Sequence, residues 1–500
     1  MKKIILAASL LFSSSAMADD TAITIYSKAG PGAVSPELYM PSTSGNYGYS
    51  SIPGYAIVRH IRDVKLPYKS NILKFTDVAA YLDPTTVQFK SITDPKGTKV
   101  AEQNFQFDLV SQQKLMQKYI DKEIEVEQVV GDKVELLKGT LLSVQDGLTL
   151  KTDKGIVTIP GYPKINFPDL PEGLITKPTL VWNILTDKEG THKTEVSYQT
   201  EGVTWWADYN LTFTEGKNAN SGTIDLGSWV SILNKSGATY KDAKLKLMAG
   251  DVQRVTPQAA PMMMKERAVY DMAGAAPAPE FAEKSFFEYH LYTLNTPATI
   301  PDNSTKQLEL VKKAVNVPVE KLLIYNGTEG YNYYPGSNNI DRYFGQSSPK
   351  KVAVFLKFQN KEANGLGIPM PAGRIRVNQR DADGSLEFVG EDVIDHTPRN
   401  EEVKIKLGEA FDVVGERKQT NFFIDEARHI IEEEFAITVR NQKKQDAKVR
   451  VVENLYRAAN WQLTEKSDAF EKDDSNTIHF DLNIGSEKSK TVTYKVRYTW

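Results

Sequence analysis

Residues 203–213 read VTWWADYNLTF, and in this stretch Val203, Trp205, Ala207, Tyr209, Leu211 and Phe213 fall on every second position. A strict period of two turns one apolar row to a core and the alternate residues outward, which is the pattern of a half-buried β-strand. The same alternation recurs at Ile224, Leu226, Ser228, Val230 and Ile232, at Ile478, Phe480, Leu482 and Ile484, and at Val492, Tyr494, Val496, Tyr498 and Trp500. One-sided rows of this kind suit antiparallel sheets that pack on one face. The chain is therefore predicted to be mainly β, with several antiparallel β-sandwich or barrel domains and a short connecting helix.

That helix follows Ser111, the expected N-cap, with Leu115, Met116, Tyr119 and Ile120 at helical spacing. Beyond it lie short apolar runs around residues 124–130, 136–144, 148–151 and 156–159. They are separated by Gly131-Asp132, Asp146-Gly147 and Asp153-Lys154-Gly155, turn sequences that predict tight reversals and a small five-stranded barrel. Pro163, Pro168, Pro171 and Pro178 mark an extended crossing out of it.

The predicted division is a leader over 1–18, an N-terminal β-domain over 19–110, and a helix with a small barrel-like domain over 111–177. A β-sandwich over 178–255, a flexible Ala/Pro/Met linker over 256–283 and strands with an aromatic loop over 284–350 follow. An immunoglobulin-like sandwich over 351–500 completes the chain. No repeat of fixed period is present.

The leader has Lys2 and Lys3, an apolar run from Ile4 to Phe12, and small residues at Ala16 and Ala18. This is the plan of a secretory signal cleaved after Ala18, and it predicts a periplasmic or secreted protein. The apolar run falls short of the roughly twenty residues needed to span a bilayer, so no transmembrane segment is expected after cleavage. The C-terminal row ending at Trp500 resembles the last strand of an outer-membrane barrel, but the polar loops break the barrel rhythm, and the strand is expected to close the C-terminal sandwich. The net charge of −3 falls to about −5 once Lys2 and Lys3 are removed, and no basic block tracks phosphates, so nucleic acid is not an expected partner. There is no cysteine, which leaves core burial to stabilise the fold and excludes thiolate chemistry.

Four stretches carry a family resemblance: Gly54–Leu66 (GYAIVRHIRDVKL), 201–211 (EGVTWWADYNL), 234–252 (NKSGATYKDAKLKLMAGDV) and 371–418, which opens PAGRIRVNQRDADG. The chain resembles the bacterial mucoidy inhibitor A-like proteins in their C-terminal domain of unknown function. The resemblance implies a mostly β, extracytoplasmic protein, and it carries over no catalytic residue. Unlike mucoidy inhibitor A, this chain has no long heptad-patterned coiled coil, and the small barrel stands in that place.

No phosphate-cradling glycine loop, G-x-S-x-G elbow or H-E-x-x-H helix occurs, and the six histidines are dispersed. No catalytic, cofactor-binding or metal-binding residue is assigned, and no cofactor is expected. Asp381, Asp383, Ser385 and Glu387 place oxygens around Gly384 as in a fragment of a calcium loop, although a full loop needs more ligands. Asp383-Gly384 between alternating apolar residues predicts a hairpin instead. Met262, Met263, Met264 and Met272 offer either soft sulfur ligands for Cu(I) or adaptable packing contacts.

Two loops are rich in aromatic residues: one over 39–55 with Tyr39, Tyr47, Tyr49 and Tyr55, the other with Tyr325, Tyr331, Tyr333, Tyr334, Tyr343 and Phe344. Tyrosine joins a rigid apolar ring to a hydroxyl, so such loops either contact a sugar or protein surface or fold back on their own domain. The second loop is the candidate ligand-binding surface. The expected function is that of an accessory binding or scaffold protein of the bacterial envelope, with an envelope protein or glycan as partner. The alternative is a hydrolase of an envelope polymer working through carboxylates such as Asp381, Asp383, Glu391, Asp392 and Asp395, which needs two acids about 5–10 Å apart across a cleft.

Overall fold

The computed structural model describes residues 20–27, 34, 36–39, 52–130, 133–162, 164–250, 252, 281–286, 289–334, 336, 338–381 and 383–500. Strands take up 65% of the chain and helices 3%, so it is mainly β as its alternation predicts. The methionine-rich stretch and most of the 39–55 loop lie outside the described residues. The end of the expected linker is a strand, Phe281–Phe286, because Phe281 is buried and the segment pairs with Tyr289–Leu294.

The N-terminal unit is a sandwich of two sheets. One runs in the order Phe281–Phe286, Tyr289–Leu294, Tyr240–Ala249, Asp20–Ser27, Gly54–Leu66, Gly190–Thr200, Leu82–Ser91, and the other in the order Lys69–Phe75, Thr179–Thr186, Thr98–Gln106. Between them Trp182 is fully buried, its ring 5.6 Å from Phe75 and 5.2 Å from Phe89, with Nε1 donating to Gln103 at 2.8 Å. The break expected at residue 178 falls inside this sandwich. Thr179–Thr186 and Gly190–Thr200 complete it, and Tyr240–Ala249 returns to pair in parallel with Asp20–Ser27. Alternation shows which side chains turn inward but not which strand lies alongside.

The small unit is an insertion in this sandwich, since Gln106 is paired with Thr179 and the chain between them forms a separate core. The helix Gln112–Lys118 starts where expected, with Ser111 Oγ accepting the Lys114 amide at 3.3 Å. The five strands lie in the order Lys164–Asn166, Glu123–Val130, Lys133–Ser143, Leu148–Thr152, Gly155–Ile159, and among the described residues no ladder joins the two edges. The expected barrel is thus an open sheet. Its edge strands are three and five residues long, and Tyr119 at the end of the helix, packed 5.0 Å from Phe167, fills the inner face that closure would have enclosed.

A continuous sheet runs in the order Leu386–Ile394, Gly373–Arg380, Val203–Glu215, Ser221–Asn234, Ser304–Asn326, Lys351–Gln359, Glu402–Asp425, Ile430–Asn441, Ser489–Thr499, Asn460–Lys466. The row Val203, Trp205, Ala207, Tyr209, Leu211, Phe213 is buried throughout. Ser304–Asn326 pairs first with Ser221–Asn234 and at its end with Ala447–Asn454, and Glu402–Asp425 pairs first with Lys351–Gln359 and then with Ile430–Asn441, so both strands run on into the C-terminal sandwich. In that sandwich Ala447–Asn454 and Thr477–Ile484 cover the inner face, with Phe480 and Phe435 packed 5.9 and 5.3 Å from Tyr494. Ser489–Thr499 is paired on both sides. No helix among the described residues is long and apolar enough to cross a membrane.

On the outer surface Asp481 bridges Arg450 at 2.9 Å and Lys448 at 3.2 Å. The hydrogen bonds from Arg450 hold its carboxyl down at about 2, below the ordinary 3.8. A depressed carboxylate adds stability that is present above the ordinary value and fades as pH falls toward the lowered one. Asp481→Asn is therefore expected to lose about 0.5–1 kcal/mol at pH 7, a small figure because the pair is solvent-screened. The deficit should shrink between pH 4 and pH 2 in urea titrations, and a deficit independent of pH contradicts the assignment.

Candidate functional site

The aromatic loop leaves the long strand at Tyr325, whose ring is fully buried against Gly415, where a side chain would overlap it. Its hydroxyl lies 2.7 Å from Ser348 Oγ and donates to Pro349 O at 3.0 Å. Tyr331 and Phe344 meet edge to face at 5.1 Å, and both pack on Tyr456 at 5.6 and 5.4 Å. Tyr333 is half-buried, whereas Tyr334 and Tyr343 are 66% and 74% exposed. The structure thus brings Tyr331 and Phe344 together, buries Tyr325, and turns Tyr334 and Tyr343 to solvent.

A buried ionic network beneath the loop fixes its path. Arg457 donates from Nη1 to the carbonyls of Asn339 and Asp341 at 2.9 and 2.8 Å, and from Nη2 to Phe344 O at 3.0 Å and Glu433 Oε1 at 2.8 Å. Arg417 donates from Nη1 to Gly345 O at 2.7 Å and from Nε to Glu453 at 2.8 Å, with its guanidinium 3.7 Å above the Phe435 ring. Glu453 also accepts the Tyr494 hydroxyl, and Glu433 accepts Gln419 Nε2 at 2.8 Å. Both ion pairs are sealed from solvent. Burial pushes the Glu453 carboxyl above its ordinary range, against the pull of Arg417 and Tyr494. Burial, with Glu433 adding to it, pushes the Tyr456 hydroxyl up to about 12. Charge-assisted bonds to four carbonyls hold the path of residues 339–345. Gly345 has φ +79, and a Cβ there would meet the Tyr456 ring, so glycine is needed at this point.

The acidic residues singled out in the sequence hold turns and strand ends. Asp381 O accepts Gly384 N and Asp383 Oδ1 accepts Ser385 N at 2.8 Å, which closes the hairpin. The Ser385 hydrogen bonds hold the Asp383 carboxyl below its ordinary value. Asp392 accepts Val393 N and Lys406 N at 2.9 and 2.6 Å, Glu391 lies 3.5 Å from Arg376, and Asp395 O accepts the Thr397 hydroxyl. Among the described residues no three His, Asp or Glu side chains converge to hold a metal ion. His60 sits between Thr21 and Tyr198, His192 between Ser91 and Lys188 O, and His479 2.8 Å from Asp473.

A second cluster lies where the sequence reading placed no site. Residues 207–213 pair in parallel with 373–379, so the stretches EGVTWWADYNL and PAGRIRVNQRDADG run side by side. Their apolar rows face the core, and their alternate residues face out. Asp208 is the hub: it accepts Trp206 Nε1 at 2.7 Å and Ser231 Oγ at 3.4 Å, with Arg374 and Arg376 at 3.4 and 3.6 Å. Gln307 donates to Ser231 at 3.1 Å, and Tyr39 packs 5.4 Å from Trp206. The available signal was polar: Trp206, Asp208 and Asn210 alternate in one stretch, Arg374, Arg376 and Asn378 in the other.

Residues 194–500 match a protein-family model described as Domain of unknown function (DUF4139). The match takes in the aromatic loop, its buried network and, Tyr39 apart, the Asp208 cluster. No curated protein matches the chain.

Proposed function

We propose, from the premise that the chain belongs to the DUF4139 family, that it is an accessory binding or scaffold protein of the bacterial envelope, periplasmic or secreted. On this reading it is a relative of the mucoidy inhibitor A-like proteins, and its partner is an envelope protein or glycan. The observation that carries the reading is the segment 339–345, pinned by two buried guanidiniums so that Tyr343 stands out on a fixed support, with Tyr334 exposed as well. Aromatic side chains held in this way add contact area at little loss of conformational freedom on binding. A carboxylate hydrolase draws less support, because Asp383, Asp392 and Glu391 already hold a turn, a strand contact and an ion pair.

Two measurements test this. Fractionated cells should contain a processed chain beginning at Asp19 outside the cytoplasm. The double variant Tyr334→Ala/Tyr343→Ala should melt like the parent, since exposed substitutions usually change stability by under about 0.5 kcal/mol. It should nevertheless release the envelope component that the parent retains, each lost anchor weakening binding by about 1–3 kcal/mol. An unprocessed cytoplasmic chain, or retention unchanged by the double variant, overturns the reading.

A further inference from the structure

We propose that the outer face of the strands Gly373–Arg380, Val203–Glu215 and Ser221–Asn234 is a platform that binds a neutral, hydroxyl-rich glycan strand. This surface is separate from the tyrosine loop and independent of the reading above. Cross-strand register sets out its rows. Asp208 lies between Arg374 and Trp229, Asn210 between Arg376 and Gly227, and Trp206 lies opposite Ser231.

Trp206 and Trp229 are diagonal neighbours on adjacent strands, about 7–8 Å apart, and Trp229 is the ring left open to a ligand while Trp206 backs Tyr39. Trp229 is 42% exposed, and Trp206 is half-buried under Tyr39. An isolated tryptophan on an exposed sheet face is ordinary. Here the indoles flank polar groups already held in place, because the contacts of Asp208 to Trp206, Ser231, Arg374 and Arg376 fix both guanidiniums. Preset polar groups lose little freedom when a ligand arrives.

Gly227 shapes the face beside Trp229. Its φ does not call for glycine, and a Cβ there would meet nothing within 4 Å. In a strand interior glycine is otherwise disfavoured and marks a bulge or a close approach, and here the ladder to Ser304–Asn326 shifts register between Leu226 and Ser228. Here it leaves an open notch between Trp229 and Asn210.

The chemistry of the face identifies the ligand class. A sugar ring offers an apolar C–H face for an indole and a rim of hydroxyls for amide, guanidinium and carboxylate groups, and such a mix of apolar walls with a few placed polar groups is typical of small-ligand recognition. Charge excludes a polyanion. The two guanidiniums face Asp208 and Glu391, and Glu309 lies beyond Trp229, so no positive surplus remains to attract phosphates or uronates.

The test is isothermal titration of the full chain with hexamers of β-1,4-linked glucose and of β-1,4-linked N-acetylglucosamine, and with a polygalacturonate oligomer as charged comparator. At least one neutral hexamer should bind, and the comparator should not. Trp229→Ala should weaken binding at least tenfold. Gly227→Val should fill the notch and weaken binding to a similar degree while leaving the melting temperature unchanged, because a β-branched residue suits a strand and meets open space there. Tyr334→Ala/Tyr343→Ala should bind the hexamer normally, which separates this surface from the loop. No heat with either neutral hexamer at millimolar concentration, preference for polygalacturonate, or unaltered binding by both Trp229→Ala and Gly227→Val overturns the proposal.

Discussion

Glu433→Ala should destabilise the C-terminal sandwich by about 3–5 kcal/mol, the usual penalty for leaving a buried charge without its partner. Arg457 has no solvent to turn to, and its four hydrogen bonds are all internal. Such a loss is a large part of the roughly 5–15 kcal/mol by which a domain is stable, and urea unfolding measures it directly. The double variant Glu433→Leu/Arg457→Met separates two roles of the pair. Apolar replacement of both partners often restores most of the stability, yet it leaves the carbonyls of Asn339 and Phe344 without donors and Asp341 O with the Phe344 amide alone. Hydrogen exchange should then show faster exchange in the 330–346 loop of the double variant with the sandwich strands still protected. Equal protection of loop and strands means that the arginine does not hold the loop.

Deleting residues 495–500 should unfold the C-terminal sandwich and leave the N-terminal one intact. Val496 and Tyr498 are buried, and each contributes on the order of 1.5–3 kcal/mol by leaving water. The same six residues also carry hydrogen bonds to Ile430–Asn441 on one side and Asn460–Lys466 on the other. Calorimetry of the truncated chain should lose one transition and keep that of the Trp182 core. Two transitions at their original temperatures contradict this. Trp500→Ala alone is expected to do far less, since its ring is half-buried, resting edge to face on His429 at 5.5 Å.

The alternating rows were legible because an inward side chain must be apolar at every second position. Val203 to Phe213 and Val492 to Tyr498 are buried as read. Partner choice was not legible. The parallel pairs of Asp20–Ser27 with Tyr240–Ala249, and of Val203–Glu215 with Gly373–Arg380, join segments that no local pattern links. Composition identified the tyrosine loop but could not sort its rings, because a tyrosine whose hydroxyl finds partners, as Tyr325 finds Ser348 and Pro349, is as stable inside as outside. Arg417, Glu433, Glu453 and Arg457 carry no local sequence pattern that marks them as buried, and only the packing of two sheets seals them. Trp206 and Asp208 belong to the other row of the same strand, which alternation marks as outward-facing without showing what gathers on it.

The pairing of Asp20–Ser27 with Tyr240–Ala249 also sets an order of events during folding. Ala22 must find Lys244, more than two hundred residues away, and contacts between such distant partners form slowly because a long loop has to close first. The inserted unit between Gln106 and Thr179 shortens part of that search: once it has folded on its own core, the two strands it interrupts are delivered side by side. The insertion thus acts as an internal brace for assembly, and the N-terminal strand is held back until Tyr240–Ala249 has been made. Until then Asp20–Ser27 can pair only with Gly54–Leu66, its other edge stays open, and this interval is when the chain is most exposed to wrong strand partners.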